Sequence, residues 1–337
     1  MAAVGVIGSG TWGTALAILL EGNGHQVDLW SAIPEEAKML RETRRHPNLD
    51  QAVIPDGICV TDNLKEAMES KDLLVMAVPS VYVRQTAAKM RPFLRPGQIV
   101  TNVAKGIEEA SLLPLSQVIE AELPDAQVTV LSGPSHAEEV SRGLPTTCVS
   151  GSSRRQPAEY VQSLFMNEFF RVYTSPDVLG IELGGALKNV IALAAGIADG
   201  LGCGDNTKAA LITRGIAEIT RLGVEMGGRA ETFSGLTGIG DLIVTCASMH
   251  SRNRRAGILI GKGCTMEEAM REVKMVVEGV FSAKAALALS KQYNVSMPIV
   301  EQVNAVLFDG VSPKDALREL MLRDRRMENS GLMWSES

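Results

Sequence analysis

The sequence of 337 residues predicts an α/β protein in which a doubly wound, mostly parallel sheet is followed by an all-helical region. Two observations predict this division. From residue 1 to about 173, short β-rich runs alternate with helical stretches, whereas helical periodicity prevails after Pro176. We place the boundary at residue 178, so that residues 1–178 form the first predicted domain and residues 179–337 the second. In this arrangement a ligand binds in the crevice beyond the carboxyl ends of the strands.

The first predicted element is an apolar strand, residues 4–7, which runs into a glycine-rich turn and a helix. Gly8 permits the tight turn, Gly10 lets the backbone approach a pyrophosphate, and Gly13 lets the helix pack closely on the strand. Residues 25–30 read as the second strand of a βαβ unit. Such a turn also occurs with nothing bound, but its context favours a Rossmann-type dinucleotide site, where free amides at the helix start attract phosphate.

The remaining elements follow from the same patterns. Five further runs of the first domain are predicted to be strands, namely residues 73–78, 98–103, 128–132, 146–150 and 169–173. Helical periodicity in the second domain marks residues 179–198, 208–226, 266–270, 282–292 and 299–308.

Composition narrows the class of partner. A hydrophobic content of 45% and a charged content of 21% are typical of a soluble globular protein. The net charge of −6 and the lack of a long basic run argue against nucleic acid or an anionic membrane surface as the main partner. If the ligand is an anion, the cations that bind it must be local.

Cysteine and histidine usage predicts a reduced compartment and no metal. The five cysteines are widely spaced and lack a C-x-x-C pair, and the four histidines lack ligand spacing. No targeting peptide is visible, because the amino terminus runs directly into a strand. No segment is expected to span a membrane, since Lys188 and Asn189 interrupt the best candidate. The cytoplasm is therefore the expected location.

Two charged residues stand in apolar surroundings. Lys188 is the one charge in residues 183–198, and Asp241 is the one acid between Glu231 and Glu267. A buried lysine needs a carboxylate or a ligand, and desolvation lowers its pKa toward a range useful for proton transfer. The alternatives are a snorkelling lysine and a helix-capping aspartate. The two residues could also satisfy one another as a buried acid/base couple.

Other candidate ligand contacts follow predicted strands or form a cluster of cations. Lys105 would project from the end of a strand, although an exposed loop lysine is the simpler interpretation. Ser135 matches a capping box with Glu138, whose free helix amides could hold an anionic group. The run 251–255 (SRNRR) suits a phosphate by bidentate hydrogen bonding, although such runs are usually solvated.

Taken together, seven motifs resemble those of the bacterial NAD(P)-dependent glycerol-3-phosphate dehydrogenases. They are GSGTWGTA at 8–15, AKGIE at 104–108, SGPSHA at 132–137, LKNV at 187–190, GDNTK at 204–208, GIGDL at 238–242 and SRN at 251–253. The resemblance covers nearly the whole chain. It implies a Rossmann domain, a helical substrate domain, and the interconversion of dihydroxyacetone phosphate and sn-glycerol 3-phosphate in the cytoplasm for glycerophospholipid synthesis.

The resemblance also implies roles for single residues. Lys188 would accept the proton in alcohol oxidation and donate it in ketone reduction, with Asp241 as its charged neighbour and hydride supplied by the nicotinamide. The substrate would contact Lys105, Gly133, Ser135, Lys188, Asp241, Ser251, Arg252 and Asn253, the last two holding its phosphate. The cofactor would contact Gly8, Gly10, Thr11, Trp12, Gly13, Lys105, Ala137, Arg252, Val276 and Glu278.

The choice between the two nicotinamide cofactors is less clear from the sequence. Family members often carry a basic residue just after the second strand, which suits the 2′-phosphate of NADP, whereas Ser31 stands there in this chain. Lys38 or Arg41 could reach back, and Asp28 could point away. The resemblance leads us to expect NADPH, with NADH left open, and a homodimer.

Two other functions would explain part of the sequence. A hydroxy-acid reductase of the same architecture would need a carboxylate site and would act on unphosphorylated substrates. A non-catalytic sensor would bind NAD(P) without turnover and would have no reason to bury Lys188 beside Asp241.

Overall fold

The computed structural model describes residues 1–325, 327, 328 and 335, and it has the two parts that the sequence predicts. The rest of the predicted second domain, residues 326, 329–334, 336 and 337, lies outside the described residues. The eight strands are β1 (Ala3–Ile7), β2 (Gln26–Trp30), β3 (Ile58–Thr61), β4 (Leu73–Met76), β5 (Ile99–Asn102), β6 (Gln127–Ser132), β7 (Thr146–Gly151) and β8 (Phe170–Ser175).

Sixteen α-helices are described, seven before the end of the sheet and nine after it. The first seven are α1 (Thr11–Gly22), α2 (Pro34–Thr43), α3 (Leu64–Met68), α4 (Val83–Met90), α5 (Leu115–Glu122), α6 (Ala137–Val140) and α7 (Arg155–Phe165). The others are α8 (Val178–Gly200), α9 (Asp205–Glu225), α10 (Ala230–Phe233), α11 (Asp241–Ala247), α12 (Arg252–Gly261), α13 (Met266–Val273), α14 (Glu278–Gln292), α15 (Pro298–Phe308) and α16 (Pro313–Met321). Short 3₁₀ turns (Ser80–Tyr82 and Arg91–Phe93) and one π-helical turn (Leu236–Gly240) complete the set.

All eight strands form one sheet in the order β3-β2-β1-β4-β5-β6-β7-β8. Every pair is parallel except β6 and β7, which confirms the mostly parallel, doubly wound prediction. The order of the first six strands is that of dinucleotide-binding sheets, and the strand order reverses between β1 and β4. The carboxyl ends of β1, β4, β5 and β6 therefore share one edge, where a ligand is expected.

The strands lie within two residues of the predicted ones, and one strand was not predicted. This is β3, whose four residues form the outer edge of the sheet beside β2. Cys59 is exposed between its buried neighbours, so the alternation is too short to stand out from a loop. The last strand ends at Ser175 and α8 begins at Val178, so the elements change class beside the predicted boundary at residue 178.

The two parts have separate hydrophobic cores. Residues on the two faces of the sheet pack against helices α1 to α7, whereas the helical part is built around α8. Every residue of α8 from Gly180 to Ala198 is buried. Close packing of α12 on α8 depends on Gly257, where a Cβ would lie 2.2 Å from the carbonyl oxygen of Leu193. The N-terminal end of α12 is thereby held beside the middle of α8.

Helix α8 also corrects one prediction. By length and composition it is apolar enough to cross a membrane, with a mean hydropathy of 1.5, because Lys188 and Asn189 interrupt the apolar run too briefly to lower the average. However, 83% of the most apolar 18-residue stretch of this helix is buried inside the protein. A helix that is apolar all round is covered either by lipid or by other helices, and here other helices cover it.

A buried carboxylate ties α8 to the sheet. Oε1 of Glu182 accepts hydrogen bonds from Nδ2 of Asn102 at 3.0 Å and from the amide of Ser116 at 2.9 Å, and Oε2 accepts one from the Ser116 hydroxyl. Burial raises the pKa of Glu182 to about 7, although these donors oppose the shift. The carboxyl group is thus largely protonated in the native protein at mildly acidic pH.

We expect Glu182→Gln to remove a pH dependence of stability. The amide oxygen of glutamine can accept from Asn102 and from the Ser116 amide. Its N–H can donate to the Ser116 hydroxyl, as the protonated acid does. Because the native pKa is raised, the wild-type stabilisation is complete below about pH 4.5 and declines as the pH rises through about 7. The variant should therefore gain on the wild type by about 2–3 kcal/mol between pH 5 and 8.

Melting temperatures measured across this pH range would test the prediction. Glu182→Ala serves as the control, because it leaves Asn102 and Ser116 without an acceptor and should be destabilised at every pH. A melting-temperature difference between Glu182→Gln and wild type that does not change with pH would contradict it.

Candidate active site

Four neighbouring strands deliver polar groups to one edge of the sheet. The glycine turn follows β1, Ser80 follows β4, Lys105 follows β5, and the segment 133–136 follows β6. Because all four strands are parallel, these groups converge at their carboxyl ends. Residues from the helical part meet them there, which places a crevice between the two parts of the chain.

The glycine turn has the geometry expected of a pyrophosphate cradle. Gly8 has φ +124°, a conformation that side chains rarely adopt. A Cβ on Gly13 would lie 1.9 Å from the carbonyl oxygen of Gly8, which confirms that Gly13 allows the close packing of α1. A Cβ on Gly10 would meet no atom within 4 Å, so the space beside Gly10 is open. The turn thus leaves room for a ligand at one glycine and for none at the other two.

The surrounding polar atoms fit an anionic dinucleotide. No side chain caps the N-terminus of α1, so the amides of its first turn have no partner from a capping residue. The hydroxyl of Thr11 and the indole nitrogen of Trp12 are buried without a hydrogen-bond partner among the described residues. Buried polar groups are normally paired. These donors therefore mark a position that a bound phosphate or ribose would satisfy.

The centre of the crevice is a carboxylate held between two ammonium groups. Nζ of Lys188 lies 2.6 Å from Oδ1 of Asp241, and Nζ of Lys105 lies 2.7 Å from Oδ2. Asp241 is 1% exposed, and Lys188 on α8 is also buried, at 6%. The predicted pairing of Lys188 with Asp241 is present, and Lys105 joins it from the sheet. The three side chains together carry one net positive charge.

This environment shifts the protonation equilibria of the pair. Burial lowers the pKa of Lys188 to about 8, with Asp241 opposing the shift and Lys105 adding to it. Burial alone would raise the pKa of Asp241, but the two lysines outweigh it and hold that pKa below its usual range. Asp241 therefore stays ionised, and Lys188 can exchange a proton near neutral pH.

The local backbone explains how Asp241 reaches the crevice. The glycine-rich segment forms the π-helical turn Leu236–Gly240, which ends directly before Asp241, the first residue of α11. The turn packs tightly on α8, because a Cβ on Gly184 would lie 2.4 Å from the carbonyl oxygen of Thr237. The alternative that Asp241 caps a helix is wrong, since α11 has no side-chain cap.

The loop after β6 differs from its prediction at one point. Ser135 forms no capping box, because α6 begins at Ala137 after an uncapped His136. The Ser135 hydroxyl instead donates to the carbonyl of Gly133 at 2.9 Å, an oxygen that also accepts from Lys105 at 2.9 Å. The Ser135 hydroxyl is also 3.5 Å from Nζ of Lys105. Gly133, Ser135 and Lys105 thus form one connected group beside Asp241.

The predicted phosphate cluster lies at the start of α12. Ser251 caps this helix by accepting from the amide of Arg254. Asn253 donates to Asn189 at 2.8 Å and accepts from the amide of Gly279 at 2.8 Å, so one N–H of its amide is left for a ligand. Arg252 makes no hydrogen bond or ion pair with any described residue. Burial lowers its pKa, and Glu278 and Glu138 oppose the shift.

The other predicted cofactor contacts come from both parts of the chain. Ala137 is buried at the start of α6, and Val276 is half-buried two residues before α14. Glu278, the first residue of α14, accepts hydrogen bonds from the amide and the hydroxyl of Ser80. Glu278 thereby links the helical part to the loop after β4, close to Arg252.

Three groups at the site were not predicted from the sequence. The Thr245 hydroxyl accepts from Lys188 at 2.6 Å and donates to the carbonyl of Asp241 at 2.6 Å. Ser80 holds Glu278. Nε2 of His136 is buried with no partner among the described residues, and burial together with Lys188 and Lys105 lowers its pKa to about 4. The i,i+4 spacing of Asp241 and Thr245 is the one signal that could have indicated such a contact.

A separate cavity lies at the other edge of the sheet. It has a volume of about 720 Å³ and is lined by residues at the amino ends of the strands, including Asp72, Ile99 and Gln127. Parallel sheets bind ligands at the opposite edge. We therefore assign the functional site to the crevice around Lys188, where the polar and charged side chains converge.

The described residues contain no group of three or more histidine, cysteine or acidic side chains placed to hold a metal ion. The five cysteines, all at described positions, are free thiols. Burial raises the pKa of both Cys148 and Cys246 to about 12, so neither is a nucleophile at neutral pH.

Comparisons with known proteins agree along the whole chain. Residues 3–158 match the family model of the NAD-dependent glycerol-3-phosphate dehydrogenase N-terminus, and residues 177–318 match the model of its C-terminus. Glycerol-3-phosphate dehydrogenase (NAD(P)+) of Agathobacter rectalis is 62% identical over 335 residues, 99% of this chain and 100% of that one. The Fusobacterium nucleatum enzyme of the same name is 59% identical and covers 97% of this chain and 99% of its own.

A solved structure agrees as well. The crystal structure of glycerol-3-phosphate dehydrogenase from Coxiella burnetii superposes with a TM-score of 0.92 at 34% identity, covering 96% of this chain and 99% of that one. Both the sheet and the helical part are included in that coverage. The resemblance seen in the motifs is confirmed: this chain belongs to the NAD-dependent glycerol-3-phosphate dehydrogenase family.

Proposed function

We propose that this chain interconverts dihydroxyacetone phosphate and sn-glycerol 3-phosphate with NAD(P)H, and that Lys188 is the acid/base. Residues 1–178 would bind the dinucleotide and residues 179–337 the substrate, with the reacting carbon in the crevice between them. The observation that carries the proposal is the ammonium of Lys188, buried between Asp241 and Thr245 at the carboxyl edge of a dinucleotide-type sheet.

The donors of Lys188 support its role. An ammonium has three N–H groups, of which one points to Asp241 and one to Thr245. One N–H is left, and it is the proton available to a substrate oxygen. Because the two partners fix the other directions, the proton to be transferred has a defined orientation.

The charges of the cluster favour the chemistry in both directions. When bound, the reduced nicotinamide supplies a hydride to the carbonyl carbon, and negative charge develops on the oxygen. Lys188 neutralises this charge by donating its proton, while Lys105 keeps a positive charge nearby. In alcohol oxidation the neutral amine of Lys188 accepts the proton. A pKa of about 8 makes both forms accessible near neutral pH.

The opposite end of the substrate would lie against α12. The unpaired guanidinium of Arg252, the remaining N–H of Asn253 and the N-terminal amides of α12 are donors suited to a phosphate. Their binding energy would position the carbonyl carbon, since they are remote from the reacting bond. Gly133, Ser135 and Lys105 would complete the substrate site on the sheet side.

The proposal extends to cellular context. The five free cysteines support a reducing compartment, and we propose the cytoplasm. The glycerol phosphate would enter glycerophospholipid synthesis. From the family resemblance we also propose that the chain forms a homodimer.

The first test is the loss of reduced-nicotinamide absorbance with dihydroxyacetone phosphate and, in parallel, with unphosphorylated dihydroxyacetone. We expect kcat/KM to be at least about 100-fold higher for the phosphorylated ketone, because each charged hydrogen bond to the phosphate contributes about 1.5–3 kcal/mol. Preferred turnover of a keto acid would favour a hydroxy-acid reductase instead. Binding of the cofactor without any turnover would indicate a sensor.

Variants of Lys188 test the acid/base. Lys188→Ala should lower kcat by about 10²–10⁴-fold while changing the cofactor Kd by less than about threefold. Lys262→Ala is a matched control, since Lys262 is exposed and should leave kcat unchanged. Normal turnover of Lys188→Ala would remove this residue from the mechanism.

The pH profile provides a second readout of the same residue. Ketone reduction needs the protonated lysine, so its kcat/KM should fall as the pH rises through about 8. Alcohol oxidation needs the neutral amine, so its kcat/KM should rise over the same interval. Lys188→Arg should be slow and should lack this transition, because a guanidinium stays protonated.

Two glycines of the turn should respond differently to the same substitution. Gly10→Ala meets no protein atom and should change the melting temperature by less than about 2 °C, yet raise the dinucleotide Kd about tenfold or more. Gly13→Ala overlaps the carbonyl of Gly8 and should lower the melting temperature as well. Calorimetric titration measures the dinucleotide Kd of both variants, and thermal unfolding measures their stability. Together they distinguish a glycine that leaves room for the ligand from one that allows close packing of α1. Unchanged affinity in Gly10→Ala would contradict the proposed pyrophosphate position.

A further inference from the structure

The end of β2 carries the second half of the dinucleotide site. In sheets of this order, the residue after the second strand meets the ribose that bears either the 2′-hydroxyl of NADH or the 2′-phosphate of NADPH. An acid there selects the hydroxyl, and a base selects the phosphate. Trp30 is followed by Ser31, which is neither, so the selecting group has to come from elsewhere in the fold.

A carboxylate from α2 reaches this position. The Ser31 side chain, 1% exposed, donates from its hydroxyl to Oε2 of Glu36 at 3.0 Å and accepts from the amide of Ile33 at 3.2 Å. Glu36 lies in the first turn of α2 and is half-buried. Its other oxygen, Oε1, receives no hydrogen bond from any described residue. A fixed carboxylate with one free oxygen therefore lies beside the end of β2.

The nearby cations that could have favoured a phosphate each have a contact with another residue. Lys38 pairs with Glu42 at 3.9 Å along α2. Arg41 donates to the carbonyl of Val60 and lies 3.6 Å from Asp62. Arg44 donates to the carbonyl of Ile58 at 2.8 Å. The two residues that the sequence suggested might reach back, Lys38 and Arg41, thus have partners of their own.

Three other titratable residues on β2 or between residues 31 and 46 are Asp28, Arg45 and His46. Asp28 on β2 is held by Lys71 at 2.6 Å and so is engaged away from the ribose. Burial lowers the pKa of His46, and Glu36 opposes the shift without cancelling it. His46 is therefore neutral near pH 7. Within residues 31–46, all of which are described, Arg45 is the one cation with neither an ion pair nor a side-chain hydrogen bond, and it is exposed.

We propose that Glu36, oriented by Ser31, recognises the ribose 2′-hydroxyl and makes this chain select NADH over NADPH. The inference rests on the dinucleotide site proposed above and adds its specificity. A 2′-phosphate would bring about two negative charges next to the carboxylate, and like charges a few ångströms apart repel even with water present. We expect the Kd of NADPH to exceed that of NADH by about tenfold or more. The family resemblance alone leads to the opposite ratio.

Calorimetric titration of the apoprotein with NADH and NADPH tests this without turnover. Glu36→Gln keeps an oxygen acceptor for Ser31, presents an N–H donor to the ribose hydroxyl in place of the second oxygen, and removes the charge. It should tighten NADPH about fivefold or more and change NADH by less than about threefold. Glu35→Gln is the matched control, since Glu35 is the exposed carboxylate one position earlier and its side chain forms no hydrogen bond or ion pair with a described residue. Its ratio of Kd values should remain that of the wild type.

The possible outcomes separate the two proposals. Equal affinities in the wild type, or an unchanged ratio in Glu36→Gln, would overturn the role of Glu36 and leave the dinucleotide site standing. A selective loss of NADPH affinity in Arg45→Gln would show that Arg45 binds the 2′-phosphate. That result would also overturn the role of Glu36. Failure of the folded wild-type protein to bind either nucleotide would overturn both proposals.

Discussion

One buried carboxylate, Asp241, holds two ammonium groups that come from different parts of the chain. Lys188 arrives on the core helix α8, and Lys105 arrives from the carboxyl edge of the sheet. Removing one partner of a buried ion pair typically costs about 3–5 kcal/mol, because the other charge is left uncompensated. Lys105 is the partner of Asp241 that the sheet supplies, so the contact depends on the packing of the two parts. The charged cluster therefore joins the two parts and, in the proposed mechanism, supplies the acid/base of the crevice.

Two other carboxylates of the helical part accept hydrogen bonds from the sheet part, and their surroundings differ from those of Asp241. Glu182 on α8 receives only neutral donors from Asn102 and Ser116, so burial governs it and its pKa rises to about 7. Glu278 on α14 accepts from Ser80, and burial raises its pKa despite this donor and the nearby Arg252. Asp241 is the one of these three that has two cations in direct contact. The number of adjacent cations, more than burial, decides which carboxylate stays charged.

The sequence predicts those features that depend on local pattern. The strands, the glycine turn and the long helices follow from periodicity and glycine placement, and Lys188 stands out because one charge interrupts an apolar helix. Features that depend on tertiary approach were missed or misassigned. Ser135 has the spacing of a cap, but its hydroxyl meets Gly133 instead. The contact of Ser31 with Glu36 joins a strand end to a helix across five residues, with no periodic pattern to indicate it.

The same principle connects the two ends of the crevice. At the reacting end, Asp241 is neutralised by lysines, so the net charge is positive and an anionic oxygen is favoured there. At the proposed ribose end, Glu36 has a serine as its hydrogen-bond partner and forms no ion pair with a described residue, so an additional anion is disfavoured there. In the proposed site, phosphate groups are consequently favoured at the glycine turn and at α12, where amides and Arg252 would face the ligand, and disfavoured beside α2. On these proposals, cofactor choice and proton transfer both depend on the placement of cations around buried or half-buried carboxylates.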